Sequence, residues 1–154
     1  MAARVRAKKL SIYADSSALV KVYLDEPGAP EMRALLAENE VVITSVIALP
    51  EQISAVRRAS AGGRIEAGRA EFLRGEILSH WADMMSVGVN EATLRSAVDV
   101  AWRFGLPGFD AVHLGSALAF NEGLDKPITF ATFDRVLWRA ARESGLEAWP
   151  PEVG

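Results

Sequence analysis

Four acidic residues that are far apart in this 154-residue chain are the first candidates for a catalytic site: Asp15, Glu51, Asp110 and Asp134. Carboxylates that lie close together repel one another unless a cation compensates their charge. Oxygen ligands suit Mg²⁺ or Mn²⁺, and such ions can activate water and orient a phosphodiester for hydrolysis. If the fold gathers these four acids, they predict a metal-dependent site for the hydrolysis of an RNA phosphodiester.

Short apolar strands that alternate with helices are the elements that must position the acids. Strands are predicted over 10–14, 41–43, 84–89 and 127–131, with a last edge strand over 146–149. Helices are predicted over 16–24, 29–38, 64–81, 91–104, 109–121 and 134–144, and another runs from 44 or 45 to 61. This alternation predicts an α/β fold, a three-layer α/β/α sandwich with a central, mostly parallel sheet.

One edge of such a sheet collects the carboxyl ends of strands and the amino ends of helices, and ligands bind there. Asp15 follows the first strand, and Glu51 lies in the first half of the helix after the second strand. Asp110 begins a helix, and Asp134 lies where the fourth strand passes into its helix. The four acids are therefore expected to meet at this edge.

The ends of two helices are predicted from their hydroxyl residues. Ser16 or Ser17 is the expected N-cap of the first helix, and Thr44 or Ser45 is the expected N-cap of the helix that carries Glu51. Pro50 falls inside the latter helix and removes a backbone donor, so it is either tolerated near the first turn or kinks the helix.

Each acid also has a structural alternative. Acidic side chains favour helix N-termini, so Asp110 and Asp134 are equally explained as caps or as ligands. Asp15 is the stronger ligand candidate because a buried strand does not itself need an acid after it. Glu51, taken alone, is interpreted as a surface residue. His113 lies three residues after Asp110, near the same helix face, and is expected to pack or to hydrogen-bond.

Other charged and apolar side chains are assigned to helix faces. His80 is expected to be exposed. Leu94, Val98, Ala101 and Trp102 fall on one side of the 91–104 helix. The arginines are interpreted as a solvated face, with RNA binding as the alternative; they are Arg57, Arg58, Arg64, Arg69 and Arg74.

Composition limits the class of protein. Half of the residues are hydrophobic and 24% are charged, which is typical of a folded domain. The absence of cysteine excludes disulfides, zinc–thiolate sites and cysteine nucleophiles. The net charge of −3 argues weakly against nucleic-acid binding, but two divalent ions at the acids would bring the formal charge to +1.

The N-terminus carries Arg4, Arg6, Lys8 and Lys9 without the apolar segment that a secretion signal needs behind such charges. No apolar run approaches the roughly 20 residues of a membrane helix. A cytoplasmic protein without a membrane segment is therefore expected.

Four stretches of the sequence resemble, in order, successive blocks of PIN-domain proteins, and of VapC-type toxins in particular. They are YADSSALVKVYLDEPG (13–28), TSVIALPEQISAVRR (44–58), LPGFDAVHLGSAL (106–118) and ITFATFDRVLWRAARESGL (128–146). The resemblance implies a PIN-like, Rossmann-like α/β/α fold and an endoribonuclease that depends on Mg²⁺ or Mn²⁺.

Residue by residue, the resemblance assigns catalytic and metal-binding roles to Asp15, Glu51, Asp110 and Asp134. It assigns supporting hydroxyls to Ser17 and Thr132, whereas His113 matches a common family residue that is not a required ligand. Residues 10–150 would form a single PIN domain behind a basic N-terminal arm, residues 1–9.

The resemblance also implies partners. Proteins of this kind are the toxins of type II toxin–antitoxin systems, and the C-terminal segment of a small antitoxin occupies the active-site groove. They also tend to form homodimers.

Other functions are weighed against this one. A haloacid-dehalogenase-type phosphatase needs a second aspartate where Ser17 stands, and a response-regulator receiver needs an acidic pair before its aspartate. A PIN nuclease of RNA processing without an antitoxin, and an inactive PIN-like interaction module, remain as alternatives. The complete set of acids favours activity.

Overall fold

The computed structural model describes residues 11–125 and 127–154, which form five strands and seven helices. The strands are β1 (Ile12–Ala14), β2 (Val42–Ser45), β3 (Met85–Val87), β4 (Thr129–Ala131) and β5 (Glu147–Trp149). The helices are α1 (Ser16–Leu24), α2 (Ala29–Glu38), α3 (Ala48–Ala61), α4 (Ala67–Trp81), α5 (Glu91–Phe104), α6 (Gly108–Asn121) and α7 (Arg135–Glu143). The predicted arm, residues 1–9, and the first residue of the predicted first strand lie outside the described residues.

The five strands form one parallel sheet in the order β3-β2-β1-β4-β5. In the central strand, Ile12 lies opposite Val42 on one side and Thr129 on the other. Alternate side chains of a strand point to opposite faces, and both faces of β1 are buried. This confirms the predicted α/β class, and β5 is the edge strand that was expected.

Helices cover both faces of the sheet and make the three layers. On one face, Tyr13 and Phe130 pack with apolar side chains of α5, α6 and α7. On the other face, Ile12 and Ala14 pack with side chains of α1, α2 and the start of α3. Within the described part of the chain, no helix has both the length and the apolar character to cross a membrane.

The predicted N-caps of α1 and α3 are wrong. Asp15 caps α1 through its side chain, so Ser16 and Ser17 are already helical. Thr44 and Ser45 belong to β2, because the strand continues two residues beyond the predicted range 41–43 and both side chains are buried there. Helix α3 begins without a side-chain cap.

Pro50 is the third residue of α3 and therefore lies in its first turn. The backbone N–H groups of a first turn have no partner within the helix, so the missing donor costs little there. The helix accordingly continues unbroken to Ala61, as predicted.

Helices α5 and α6 pack closely at Gly115. A Cβ atom at this glycine would lie 2.5 Å from the backbone nitrogen of Ala97. The side of α5 that faces α6 carries the buried residues Thr93, Ala97 and Val100. The row Leu94, Val98 and Trp102 is instead exposed, and Trp102 keeps 92% of its surface accessible.

Candidate active site

Asp15 lies directly after β1 and is only 4% exposed. Its Oδ1 accepts hydrogen bonds from the Ala18 backbone N–H (2.9 Å) and the Ser17 hydroxyl (2.8 Å). Its Oδ2 accepts one from the Thr132 hydroxyl at 2.5 Å. Burial raises the pKa of Asp15 above its usual value, although His113 and these donors oppose the shift. Three donors therefore hold this carboxylate in one orientation.

Thr132 connects the ends of β1 and β4. It is fully buried, and its hydroxyl accepts a hydrogen bond from the Asp134 backbone N–H at 3.1 Å while it donates to Asp15. The two hydroxyl residues expected to support the site, Ser17 and Thr132, thus both contact Asp15.

Asp134 is the N-cap of α7. Its Oδ1 accepts a hydrogen bond from the Leu137 backbone N–H at 2.7 Å, and the residue is exposed. The capping role that composition allowed for Asp134 is therefore present in the structure, at the same sheet edge as Asp15.

Asp110 occupies the first turn of α6 but does not cap it. The N-cap of this helix is Pro107, and among the described residues Asp110 has no hydrogen-bonding partner for its carboxylate. Burial raises the pKa of Asp110, and the negative charges of Asp134 and Asp15 raise it further. This carboxylate thus lies within electrostatic reach of the other acids, and the opposing influence of His113 does not offset burial and these charges.

Glu51 lies in the first turn of α3 and is held through one oxygen. Its Oε1 accepts a hydrogen bond from the Ser16 hydroxyl at 2.6 Å and lies 2.8 Å from His113 Nε2. Burial alone would raise the pKa of Glu51, but the hydrogen bonds from His113 and Ser16 outweigh it and lower the pKa. Glu51 is therefore ionised and anchored, not the surface residue that its sequence context suggests.

His113 is 2% exposed and uses both ring nitrogens. Nε2 contacts Glu51 and lies 3.0 Å from the Ser16 hydroxyl, while Nδ1 lies 2.9 Å from the Tyr13 hydroxyl. Burial raises the pKa of Tyr13 well above its usual value. The hydrogen-bonding role expected for His113 is confirmed.

Sequence reasoning missed Tyr13 and the polar role of Ser16. A signal for Tyr13 was present, because a buried tyrosine usually finds a hydrogen-bond partner for its hydroxyl. Nothing local pointed to Ser16, since its partners Glu51 and His113 are 35 and 97 positions away.

The carboxyl edge of the sheet brings the four predicted acids into one neighbourhood. Charge interactions link Asp110 to each of the other three, namely Asp134, Asp15 and Glu51. Across residues 11–125 and 127–154, however, no three Asp, Glu or His side chains are grouped so that they could hold a metal ion. Asp134 is engaged in capping α7, and one oxygen of Glu51 is held by its neighbours.

The available donors are chemically suited to a hard divalent cation. They are carboxylate oxygens, which Mg²⁺ and Mn²⁺ prefer, and both nitrogens of His113 are already engaged. A cation near Asp110 would also compensate the repulsion that raises the pKa of that carboxyl group.

One positive charge close to the site comes from α3. The arginines interpreted as a solvated face are exposed, and Arg58 lies near enough to Glu51 to help lower the pKa of Glu51. His80 is also exposed, as expected, and its Nδ1 lies 2.8 Å from the Tyr23 hydroxyl.

Curated relatives of similar length share modest identity with the chain. It is 28% identical over 142 residues to "Ribonuclease VapC45" of Mycobacterium tuberculosis (strain CDC 1551 / Oshkosh), covering 92% of this chain and 96% of that protein. It is 29% identical over 146 residues to "Ribonuclease VapC47" of the same strain, covering 91% and 96%.

Solved structures share the fold at low identity. VapBC2 from Rickettsia felis, bound to a DNA fragment from its promoter, superposes with a TM-score of 0.63 at 14% identity, covering 91% of this chain and 99% of that chain. A toxin–antitoxin complex from Klebsiella pneumoniae gives 0.60 at 13% identity, covering 80% and 86%. The family model for the PIN domain matches residues 12–143, which is most of the sequence, and this chain therefore belongs to the PIN-domain family.

Proposed function

We propose that this protein is a metal-dependent endoribonuclease and the toxin of a toxin–antitoxin pair. The observation that carries the proposal is the gathering of Asp15, Glu51, Asp110 and Asp134 at one sheet edge. The curated relatives, which are named ribonucleases, support RNA as the substrate.

In this proposal the four acids hold Mg²⁺ or Mn²⁺. Bound there, the cation supplies activation of water and neutralisation of charge on the phosphodiester. Asp15 is kept in orientation by Ser17 and Thr132, and Asp110 is the carboxylate without a hydrogen bond among the described residues. The N-terminus of α6, which carries Asp110, presents backbone N–H groups that favour phosphate oxygens.

A small antitoxin that covers the active-site edge is the proposed protein partner. One structural neighbour is a toxin–antitoxin complex from Klebsiella pneumoniae, and the other is VapBC2 from Rickettsia felis bound to promoter DNA. A PIN nuclease of RNA processing would lack such a partner, so a small protein that co-purifies with the chain and suppresses cleavage distinguishes the two. We also propose that residues 10–150 are the single domain, behind the basic arm of residues 1–9, in a cytoplasmic protein.

A homodimer is proposed through the exposed row of α5, Leu94, Val98 and Trp102. These residues are four positions apart and form one apolar stripe on the helix. Apolar patches rimmed by charged residues typically mark protein interfaces, and Arg95 and Asp99 flank this stripe.

The proposed activity is tested with purified, partner-free protein and total RNA in Mg²⁺, Mn²⁺ or EDTA. The variant is Asp15→Asn, because asparagine can still cap α1 while it removes the negative charge. We expect the wild type to cleave RNA at defined sites in a metal-dependent reaction. The cleavage rate should fall by more than about a hundredfold in Asp15→Asn. This loss exceeds the one usually seen when a group that only supports a metal ligand is changed.

The matched control is Asp83→Asn, at an exposed aspartate in the turn after α4. It should cleave like the wild type. Absence of cleavage by folded wild-type protein in every metal would favour the inactive interaction module. Cleavage that persists in Asp15→Asn would overturn the site.

A further inference from the structure

A buried row of polar groups runs from the sheet to the active-site edge. Tyr13 lies in β1, is fully buried and stacks on Phe130 of β4, with ring centroids 5.2 Å apart. Its hydroxyl meets His113 of α6, and the opposite ring nitrogen of His113 meets Glu51 of α3. The three residues thus join a strand and two helices through side chains alone.

The direction of the hydrogen bonds follows from the chemistry of the groups. A carboxylate only accepts, so His113 Nε2 must carry the hydrogen that bonds to Glu51. A tyrosine hydroxyl is protonated at neutral pH and can donate to the unprotonated Nδ1. The Nε2–H tautomer of His113, with the Tyr13 hydroxyl as donor to Nδ1, therefore satisfies every hydrogen bond of the row.

Glu51 needs such support more than the other acids do. Glutamate has a long side chain with much rotamer freedom, whereas Asp15 is short and receives three hydrogen bonds. The contacts to Glu51 all involve Oε1, so Oε2 has no hydrogen bond among the described residues. Anchoring Oε1 leaves the second oxygen available to a ligand in a fixed place.

We propose that Tyr13 and His113 are positioning residues that orient the Glu51 carboxylate toward the active site, with His113 as the donor and Tyr13 selecting its tautomer. The expected effect on RNA cleavage rests on the function proposed above. The arrangement of the row itself does not.

The chain contains a matched control for this pair. Its only other tyrosine and histidine, Tyr23 and His80, also form a hydrogen bond, at 2.8 Å, with stacked rings. That pair is at the surface, and its nearest acid is Glu76 on α4, not one of the four site acids. Tyr23→Phe and His80→Gln therefore make the same chemical changes outside the proposed site.

The test compares Tyr13→Phe, His113→Gln and His113→Asn with the two controls. A glutamine amide can place its N–H near the position of Nε2, whereas the shorter asparagine reaches only the position of Nδ1. Mn²⁺ affinity is measured by calorimetry without RNA, cleavage as kcat and KM, and folding by thermal denaturation.

We expect Tyr13→Phe and His113→Asn to bind Mn²⁺ about tenfold more weakly and to lower kcat by a similar factor, within the range seen for groups that orient metal ligands. KM for RNA should stay the same. His113→Gln should recover most of the loss, and both controls should match the wild type. A purely structural role predicts instead that activity follows the melting temperature and that glutamine rescues nothing.

The ¹⁵N NMR spectrum of histidine-labelled protein tests the tautomer of His113 without any measurement of catalysis. The spectrum of His80→Gln identifies which signals belong to His80 and which to His113. We expect the neutral imidazole of His113 to show a protonated Nε2 and an unprotonated Nδ1 in the wild type, and Tyr13→Phe to disturb that pattern. An Nδ1–H tautomer, or Mn²⁺ affinity unchanged in His113→Asn, would overturn the inference. Wild-type protein that shows the expected spectrum but cleaves no RNA would overturn the proposed function and leave the positioning row standing.

Discussion

The acids of the site differ in the hydrogen bonds and neighbouring charges that surround each carboxylate. Asp15 is buried but receives three hydrogen bonds, and Glu51 is anchored by His113 and Ser16. Asp110 is half-buried, faces the charges of Asp134 and Asp15, and has no such donor among the described residues. Folding therefore costs electrostatic free energy at both Asp15 and Asp110, whose pKa values are raised, and Asp110 does not receive the hydrogen bonds that oppose the shift at Asp15.

This charge arrangement gives the metal-free protein a specific pH dependence. The pKa of Asp110 is raised above 3.8, so between that value and the raised pKa the folded chain binds more protons than the unfolded chain. The free energy of unfolding therefore falls as pH rises through this window, and the cost is fully present at neutral pH. The pKa of Glu51 is lowered from 4.5, so its contribution has the opposite sign and is lost only in more acidic solution.

Asp110→Asn should therefore stabilise the protein in EDTA at pH 7 while it abolishes cleavage. Thermal denaturation from pH 7 down to about pH 3.5 measures the effect, and the difference from the wild type should shrink toward the acidic end. Asp83→Asn, at an exposed position, should show no such trend. A melting temperature equal to that of the wild type at pH 7 would contradict the charge cost.

At the scale of elements, the pairing of α5 with α6 fixes where Asp110 and His113 lie. Both residues are on α6, and Gly115 on the same helix allows α5 to approach closely. The absence of a side chain at this position lets the buried Ala97 pack against the glycine backbone.

Gly115→Ala should destabilise the fold even though alanine favours helices. The added Cβ would lie 2.5 Å from the Ala97 nitrogen and 2.7 Å from its Cα, so backbone must move. We expect a loss of about 1–3 kcal/mol in the free energy of unfolding, measured by chemical denaturation.

Gly75→Ala in α4 is the control for helix propensity, because nothing lies within 4 Å of its added Cβ. It should leave stability unchanged or raise it by up to about 1 kcal/mol. Equal stabilisation by both substitutions would show that α5 and α6 do not pack as described.

For the whole molecule, the unburied side of α5 is the main feature that the monomer does not explain. Trp102 contributes little to the folded monomer because almost all of its surface is accessible. Leu94 and Val98 extend the same apolar stripe along the helix.

If this stripe is a dimer interface, Trp102→Asp should convert the protein to monomers without lowering its melting temperature at low concentration. The expected loss is about 2 kcal/mol or more of association free energy, as for a tryptophan at an interface centre. Size-exclusion chromatography with light scattering measures it. Phe72→Asp, at an exposed phenylalanine of α4, is the matched control and should remain dimeric. A wild-type monomer, or a Trp102→Asp dimer, would contradict this interface.

Local patterns in the sequence were enough for the class of fold and for the places of the acids. Alternating apolar runs, the stop at residues 25–28 and the glycines at 62 and 63 mark elements that the structure confirms. Periodicity and turn chemistry act over a few residues, so they can be read without a partner. Asp15 and Asp134 were placed at strand ends by the same reasoning.

Only the tertiary structure decided which side chains contact one another. The hydrogen bonds of His113 reach Glu51 and Tyr13 across 62 and 100 positions, and that of Thr132 reaches Asp15 across 117. The buried side of α5 was also settled by contacts that no local pattern specifies. Such contacts depend on how whole helices pack on the sheet, and that packing is determined by the distant residues that compete for the same interior space.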